Sequence, residues 1–137
     1  LSKKLSAMPQ NHNKNCPSDI KQVNLNGDVH HQIIGVAGVI VLNRPDALNA
    51  LTDEMVFALQ GILSRWKDDP AVGHVVLLSS SSRAFCAGGD VRQVRAAIIA
   101  GNSHAAELFF QREYLANLAI AEFGKPIIAL CDGVVMG

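Results

Sequence analysis

Clustered positive charge is missing from this chain. Lys and Arg together number 12, Asp and Glu number 12, and the formal net charge is zero. Nucleic-acid surfaces and electrostatic membrane anchors both need concentrated Lys and Arg, so no nucleic-acid partner is expected. Long hydrophobic runs are lacking too. No apolar stretch reaches the ~20 residues that a membrane-spanning helix requires, and no membrane partner is expected. Cysteine is scarce: Cys16, Cys86 and Cys131 are the only three, too few and too scattered for a disulfide framework or a zinc site. A reducing compartment is the natural reading. Neither internal repeats nor low-complexity tracts occur. His30, His31, His74 and His104 have no ligand spacing with a Cys, Asp or Glu cluster, so they read as surface or strand-edge residues and imply no metal.

Apolar side chains are what the sequence does have. They make up 49% of its 137 residues, against 18% charged, which is the balance of a globular, core-rich chain rather than a disordered one. The length fits one domain or a piece of a larger one. Residues 1–19 differ from the rest: they carry Lys3, Lys4 and Lys14 and no acidic residue before Asp19. The remnant of a mitochondrial transit segment, a disordered leader and appended residues all fit this composition, and the absence of Arg counts against the first. Such a leader should be poorly ordered. The expected location is mitochondrial, with the cytoplasm as the alternative. The folded part is expected to be residues 20–137.

Between Ile20 and Asn43 the pattern is β, with strands expected at 20–25, 32–36 and 38–42. Asn26-Gly27-Asp28 and Ala37-Gly38 are the turn signals. Pro45 ends strand character. Thr52 then offers a helix N-cap, with Asp53 and Glu54 in the favourable first turn. Met55, Leu59, Ile62, Leu63 and Trp66 recur at helical spacing and predict one buried face. After Asp68-Asp69-Pro70, the run Val75-Val76-Leu77-Leu78 predicts a strand covered on both sides. Helices are expected from near Asp90 and from about Ser103 to Phe123, followed by a buried strand over Pro126–Cys131. The order is α/β, with a right-handed β-α-β crossover.

The chemically informative stretch is Arg83-Ala84-Phe85-Cys86-Ala87-Gly88-Gly89-Asp90-Val91, which leaves a strand and opens a helix. Paired glycines turn sharply and leave peptide N–H groups uncovered. Asp90 can cap the helix, whose N-terminus adds a positive partial charge. Such a turn can hold an anion or a developing oxyanion. A tight turn without chemistry fits the same three residues. Cys86 sits beside a helix start, a position that can lower a thiol pKa, but no His lies nearby in sequence to serve it, and it reads as structural.

Three separated blocks carry a resemblance. Leu42-Asn43-Arg44-Pro45-Asp46-Ala47-Leu48-Asn49-Ala50-Leu51, then Ala84 through Asp90, then Lys125-Pro126-Ile127-Ile128-Ala129-Leu130 with Asp132-Gly133-Val134-Val135-Met136-Gly137, are together similar to the enoyl-CoA hydratase/isomerase (crotonase) superfamily. The resemblance covers nearly everything from Gly38 onward. It implies a crotonase (ClpP-like) spiral of ββα units. It further implies that the Gly89 backbone N–H is one of two oxyanion donors, and that Ala87 and Gly88 line the substrate channel. Arg44, Ala47 and Leu48 would run beside coenzyme A, which is part of the substrate and not a separate cofactor. Arg44 and Arg92 read equally well as phosphate contacts or as solvated surface groups.

Phe109 through Asn117 resembles the segment of 3-hydroxyisobutyryl-CoA hydrolases in which Glu-Tyr is followed shortly by Asn. Phe110, Glu113, Asn117 and Ile120 share one helical face, and a carboxylate on a partly apolar stripe needs a partner. Glu113 therefore either reaches the acyl pocket or lies solvated at the stripe edge. The resemblance implies thioester hydrolysis of a short 3-hydroxyacyl-CoA in valine breakdown. Hydratase/isomerase chemistry and a non-catalytic structural subunit of a mitochondrial assembly are the alternatives. It also places the second oxyanion donor after Gly137 and the catalytic Glu and Asp further on. The chain is thus expected to be an N-terminal part, inactive alone, and completed by a longer chain, another copy or a partner. The strand ending at Cys131 would then show an open edge.

Overall fold

The computed structural model describes residues 27–136. The expected leader, the expected strand at 20–25, Cys16, Asn26 and Gly137 lie outside them. The elements are β1 (Val29–Ile34), β2 (Ala37–Leu42), α1 (Asp53–Lys67), β3 (His74–Ser79), β4 (Ala84–Cys86), α2 (Val91–Ile99), α3 (Ser103–Ala121), β5 (Ile127–Ala129) and β6 (Val134–Val135). One sheet has the order β1-β2-β3-β5, and β4 pairs with β6 in a second. β1 runs antiparallel to β2, while β2-β3, β3-β5 and β4-β6 are parallel. This is a ββα turn followed by crossovers through helices, the α/β spiral expected from the sequence.

The β1–β2 turn falls at Gly35-Val36, not at Ala37-Gly38. Ile34 pairs with Ala37, so the loop has two residues, and Gly35 supplies the left-handed φ of +59° that such a hairpin needs. Gly38 has a different job inside β2. A Cβ there would sit 2.7 Å from carbons of the Trp66 ring, so glycine lets α1 lie close against the sheet.

α1 forms where its sequence said it would. Thr52 accepts a hydrogen bond from the Met55 N–H at 3.2 Å, satisfying one of the unpaired donors of the first turn. Met55, Leu59, Ile62, Leu63 and Trp66 are buried against Ile40, Leu42, Val75, Phe85 and Phe123, while Val56 is buried against Val94, Phe109 and Ala116. Each such side chain contributes roughly 1.5–3 kcal/mol by leaving water.

Two strands are less covered than expected. In β3, Val75 and Leu78 are buried but Val76 and Leu77 only half so. The strand expected over 126–131 shortens to β5, with Ile128 46% and Leu130 53% exposed. β5 is the edge of its sheet, so among the described residues no further strand packs beyond it. Apolar composition alone did not distinguish an edge strand from a central one.

Candidate active site

Two segments meet to make the site. The first is the turn from Arg44 to Leu51, a single 3-10 turn at Pro45–Ala47 followed by Leu48 and Asn49 in the left-handed region at φ 53° and 55°. Asn tolerates that region because its short polar side chain bonds locally. The second is the Gly88-Gly89-Asp90 turn between β4 and α2. They are stitched together at Gly89: Leu51 N–H donates to the Gly88 carbonyl at 2.8 Å, and Asp90 N–H donates to the Leu51 carbonyl at 2.9 Å.

That pairing decides which amide is left over. Flanking bonds from Leu51 turn the Gly89 peptide groups to the opposite side. The Gly88 N–H, on a residue with φ +81°, points at the Cys86 sulfur at 3.4 Å, and the Gly89 carbonyl accepts from Val91 at 2.8 Å. Among the described residues the Gly89 N–H meets no acceptor. A half-buried donor without a partner is costly unless something else binds it.

Beside that amide lies a carboxylate. A Cβ on Gly89 would fall 2.9 Å from Glu113 Oε1 and 3.1 Å from the Phe109 ring. Glu113 therefore comes inward over Gly89 and does not stand out in solvent. The helix face that carries it differs from the expected one. Ala106, Phe109 and Ala116 are the buried residues of α3, whereas Phe110 is 43% exposed and Ile120 41%. Phe109 replaces Phe110 on the inner stripe because α3 packs against α1 and α2 together, which rotates the buried face by one position. Glu113 and Asn117 also line a narrow apolar groove of ≈ 80 Å³ with Leu51, Leu77 and Ile127. The half-covered face of β3 opens into it.

On the other side of Gly89 is a wide cleft of ≈ 660 Å³. Its walls include Arg44, Ala47, Leu48, Ala87, Gly89 and Arg92, and Met136 also lines it. The expected coenzyme A and substrate positions are thus brought together around one cavity, except Gly88, buried behind Cys86, and Glu113, which faces the narrow groove. β6 places Met136 there by pairing with β4, the Met136 N–H donating to the Cys86 carbonyl at 2.9 Å.

Arg44 is neither free nor simply solvated. Its Nη1 lies 2.8 Å from Asp90 Oδ2 and donates to the Ala50 carbonyl at 2.7 Å, while the side chain still lines the cleft. Asp90 Oδ1 caps α2 by accepting from the Arg92 and Gln93 N–H groups, each at 3.2 Å. Burial works to raise the Asp90 pKa. The Arg44 hydrogen bond, the Gln93 N–H, the Arg44 charge and the Arg92 N–H outweigh it, and the carboxyl is held below its ordinary value.

Cys86 is no nucleophile. Burial pushes its thiol up, the Gly88 N–H pulls it partly back, and the Glu113 charge raises it again, the opposite of an activated cysteine. Its Sγ donates to the Asn49 carbonyl at 3.4 Å. His30, read as a strand-edge residue, is buried, with Nε2 2.7 Å from the Gly27 carbonyl. Among the described residues no group of three His, Cys, Asp or Glu is placed to hold a metal, and no helix is long and apolar enough to cross a membrane.

Sequence reasoning passed over Asn49. It is fully buried and ties the two halves of the site together. The available signal was an Asn just after the Pro45 turn, a residue type that favours left-handed backbone, inside an otherwise apolar Ala-Leu context.

A ββα spiral with an open cleft at the Gly88-Gly89 turn defines a crotonase-class fold. Residues 37–137 match the enoyl-CoA hydratase/isomerase family, and the chain belongs to that family. Among curated relatives, "3-hydroxyisobutyryl-CoA hydrolase, mitochondrial" of Xenopus tropicalis is 47% identical over 103 residues, 75% of this chain and 26% of the relative. The protein of the same name from Gallus gallus is 38% identical over 126 residues, 92% of this chain and 31% of the relative. The chain therefore spans between about a quarter and a third of the length of the curated relatives it matches. Among solved structures, an enoyl-CoA hydratase from Rhodobacter sphaeroides superposes with a TM-score of 0.74 at 42% identity, over 78% of this chain and 32% of that one. A carnitinyl-CoA dehydratase from Mycobacterium thermoresistibile gives 0.73 at 38% identity, over 82% of this chain and 33% of that one.

Proposed function

We propose that this chain forms the oxyanion and coenzyme A side of a hydrolase acting on 3-hydroxyisobutyryl-CoA or a similar short hydroxyacyl-CoA. The observation that carries the reading is the uncommitted Gly89 N–H with the Glu113 carboxylate beside it. The thioester oxygen accepts from the Gly89 N–H and gains negative charge as water attacks the carbonyl carbon. A preorganised donor at that point lowers the barrier, and removing one donor of such a site typically costs about 10²–10³ in rate. An ionised carboxylate accepts hydrogen bonds only, so Glu113 calls for a donor on the acyl group. A 3-hydroxyl supplies one. Arg44, Ala47, Leu48 and Ala87 hold the pantetheine end in the wide cleft. Collapse of the tetrahedral intermediate releases the coenzyme A thiolate, which needs a proton from an acid. In this proposal that acid, the water-activating base and the second oxyanion donor come from residues after Gly137, as the family resemblance implies. Residues 1–137 by themselves are then inactive.

Hydration or isomerisation of an enoyl-CoA is the second reading, favoured by the hydratase from Rhodobacter sphaeroides at 42% identity. It uses the same amide to stabilise an enolate. The deciding assay gives the full-length protein both substrates. Thiol release from 3-hydroxyisobutyryl-CoA supports the hydrolase, and hydration of crotonyl-CoA without thiol release overturns it. A mitochondrial location, in keeping with the names of the hydrolase relatives, is part of the proposal and is tested by fractionation.

A further inference from the structure

We infer that Asn49 is the positioning residue of the Gly89 amide, an inference that rests on the oxyanion role proposed for that amide. Its side chain occupies a site where every polar atom is used. Nδ2 donates to Ser79 Oγ at 2.8 Å, to the Phe85 carbonyl at 3.0 Å and, less closely, to the Ala84 carbonyl at 3.3 Å. Oδ1 accepts from the Arg44 N–H at 2.7 Å. The backbone takes part as well, the Asn49 carbonyl accepting from Cys86 Sγ.

These bonds join three segments. Arg44 and Asn49 open and close the turn that leads into Leu51, the residue flanking Gly89 on both sides. Phe85 and Ala84 belong to β4, which delivers Cys86, Ala87 and the two glycines. Ser79 ends β3, and its hydroxyl also donates to the Ala84 carbonyl at 2.8 Å and accepts from the Ser81 N–H at 2.9 Å. Asn49 thus fixes both the turn that grips Gly89 and the strand that carries it. A fully buried amide with all its bonds made is rigid, and a satisfied network of this kind imposes one geometry. A misplacement of ~1 Å in such a constellation costs about 10² in rate.

The test uses the full-length protein with Asn49→Asp and Ser79→Ala. Asn49→Asp keeps the shape and the acceptor for Arg44 but turns two lone pairs toward the Ala84 and Phe85 carbonyls. Ser79→Ala removes one partner only and carries the test if the first variant does not fold. Thiol release from 3-hydroxyisobutyryl-CoA and amide hydrogen exchange are measured together. The expected result is a kcat lower by about 10²-fold for Asn49→Asp and by less for Ser79→Ala, with KM little changed. Exchange should be faster in residues 84–91 and unchanged in α1. Unchanged kcat per folded molecule, or exchange rising equally in α1, overturns the inference. If the wild-type protein releases no thiol, the hydrolase reading falls. Exchange over residues 84–91 then decides whether Asn49 holds the Gly89 segment, since equal rates in variant and wild type overturn it.

Discussion

Helices α1 and α3 lie side by side and were equally legible as helices, yet they are used in different ways. α1 buries six large residues in 15, and Phe57, 68% exposed, is its one large apolar side chain left outside. α3 is longer, 19 residues, but buries only Ala106, Phe109 and Ala116. Tyr114 is 72% exposed, and Leu115 and Leu118 each 50%. Glu113, away from those outer residues, is turned in over Gly89. α1 holds the sheet together; α3 carries a charged group to the site and leaves apolar surface outside. A helix's spacing reveals that it has a face, while the neighbours decide what that face does.

Substitutions that test this contrast rank as follows, all but the second read as stability of the 137-residue chain. Trp66→Ala should cost most, about 3–5 kcal/mol by denaturant unfolding, because it empties the space over Gly38 in the main core. A loss below 1 kcal/mol would break the assignment of α1 as the structural helix. Next, Gly89→Ala keeps the amide but drives a methyl toward Glu113 and Phe109. Activity of the full-length protein should fall by about 10²-fold, and full activity would show that Glu113 does not need its place over Gly89.

Asp90→Ala removes the α2 cap and the Arg44 partner, with an expected cost of about 1 kcal/mol at neutral pH. The sign of its pH dependence follows from the lowered pKa of Asp90 in the folded chain. The contribution is complete above the carboxyl's unfolded value and is lost as pH falls through the folded one. Wild type and variant should therefore converge in acid. Melting curves recorded from neutral pH downward check this, and a gap that widens in acid would contradict it. The smallest effect belongs to Leu118→Ala on the outer face of α3, within about 0.5 kcal/mol. A cost as large as that of Leu63→Ala, about 2–5 kcal/mol, would mean that another surface covers α3.

Much of the fold was readable for local reasons. Thr52 and Asp90 cap the helices they were expected to cap, and strand and helix order followed from periodicity. The misses were long-range. Gly38 read as a turn residue because sequence does not show the Trp66 ring above it. Residues 126–131 read as a buried strand because apolar composition is the same at a sheet edge. β4 and β6 passed unnoticed, being three and two residues long, too short to show a period of two. The inner face of α3 was off by one residue, since Phe109 and Phe110 are chemically alike and only contact with α1 and α2 distinguishes them.

The site divides the same way. Residue types and their order determined the α/β class and the glycine turn before α2, which are set by neighbours within a few positions through backbone freedom, capping and spacing. Gly89, Glu113 and Arg44 were singled out by the family resemblance, and the residues alone left their roles open. Tertiary structure alone decided that, among the described residues, the Gly89 N–H is left without an acceptor while its neighbours are satisfied. It also decided that Arg44 is held by Asp90, and that a buried Asn49 joins the halves of the cleft. Each depends on bonds between segments as far apart in the chain as Arg44 and Asp90, and a bond of that kind exists only once the chain has closed on itself.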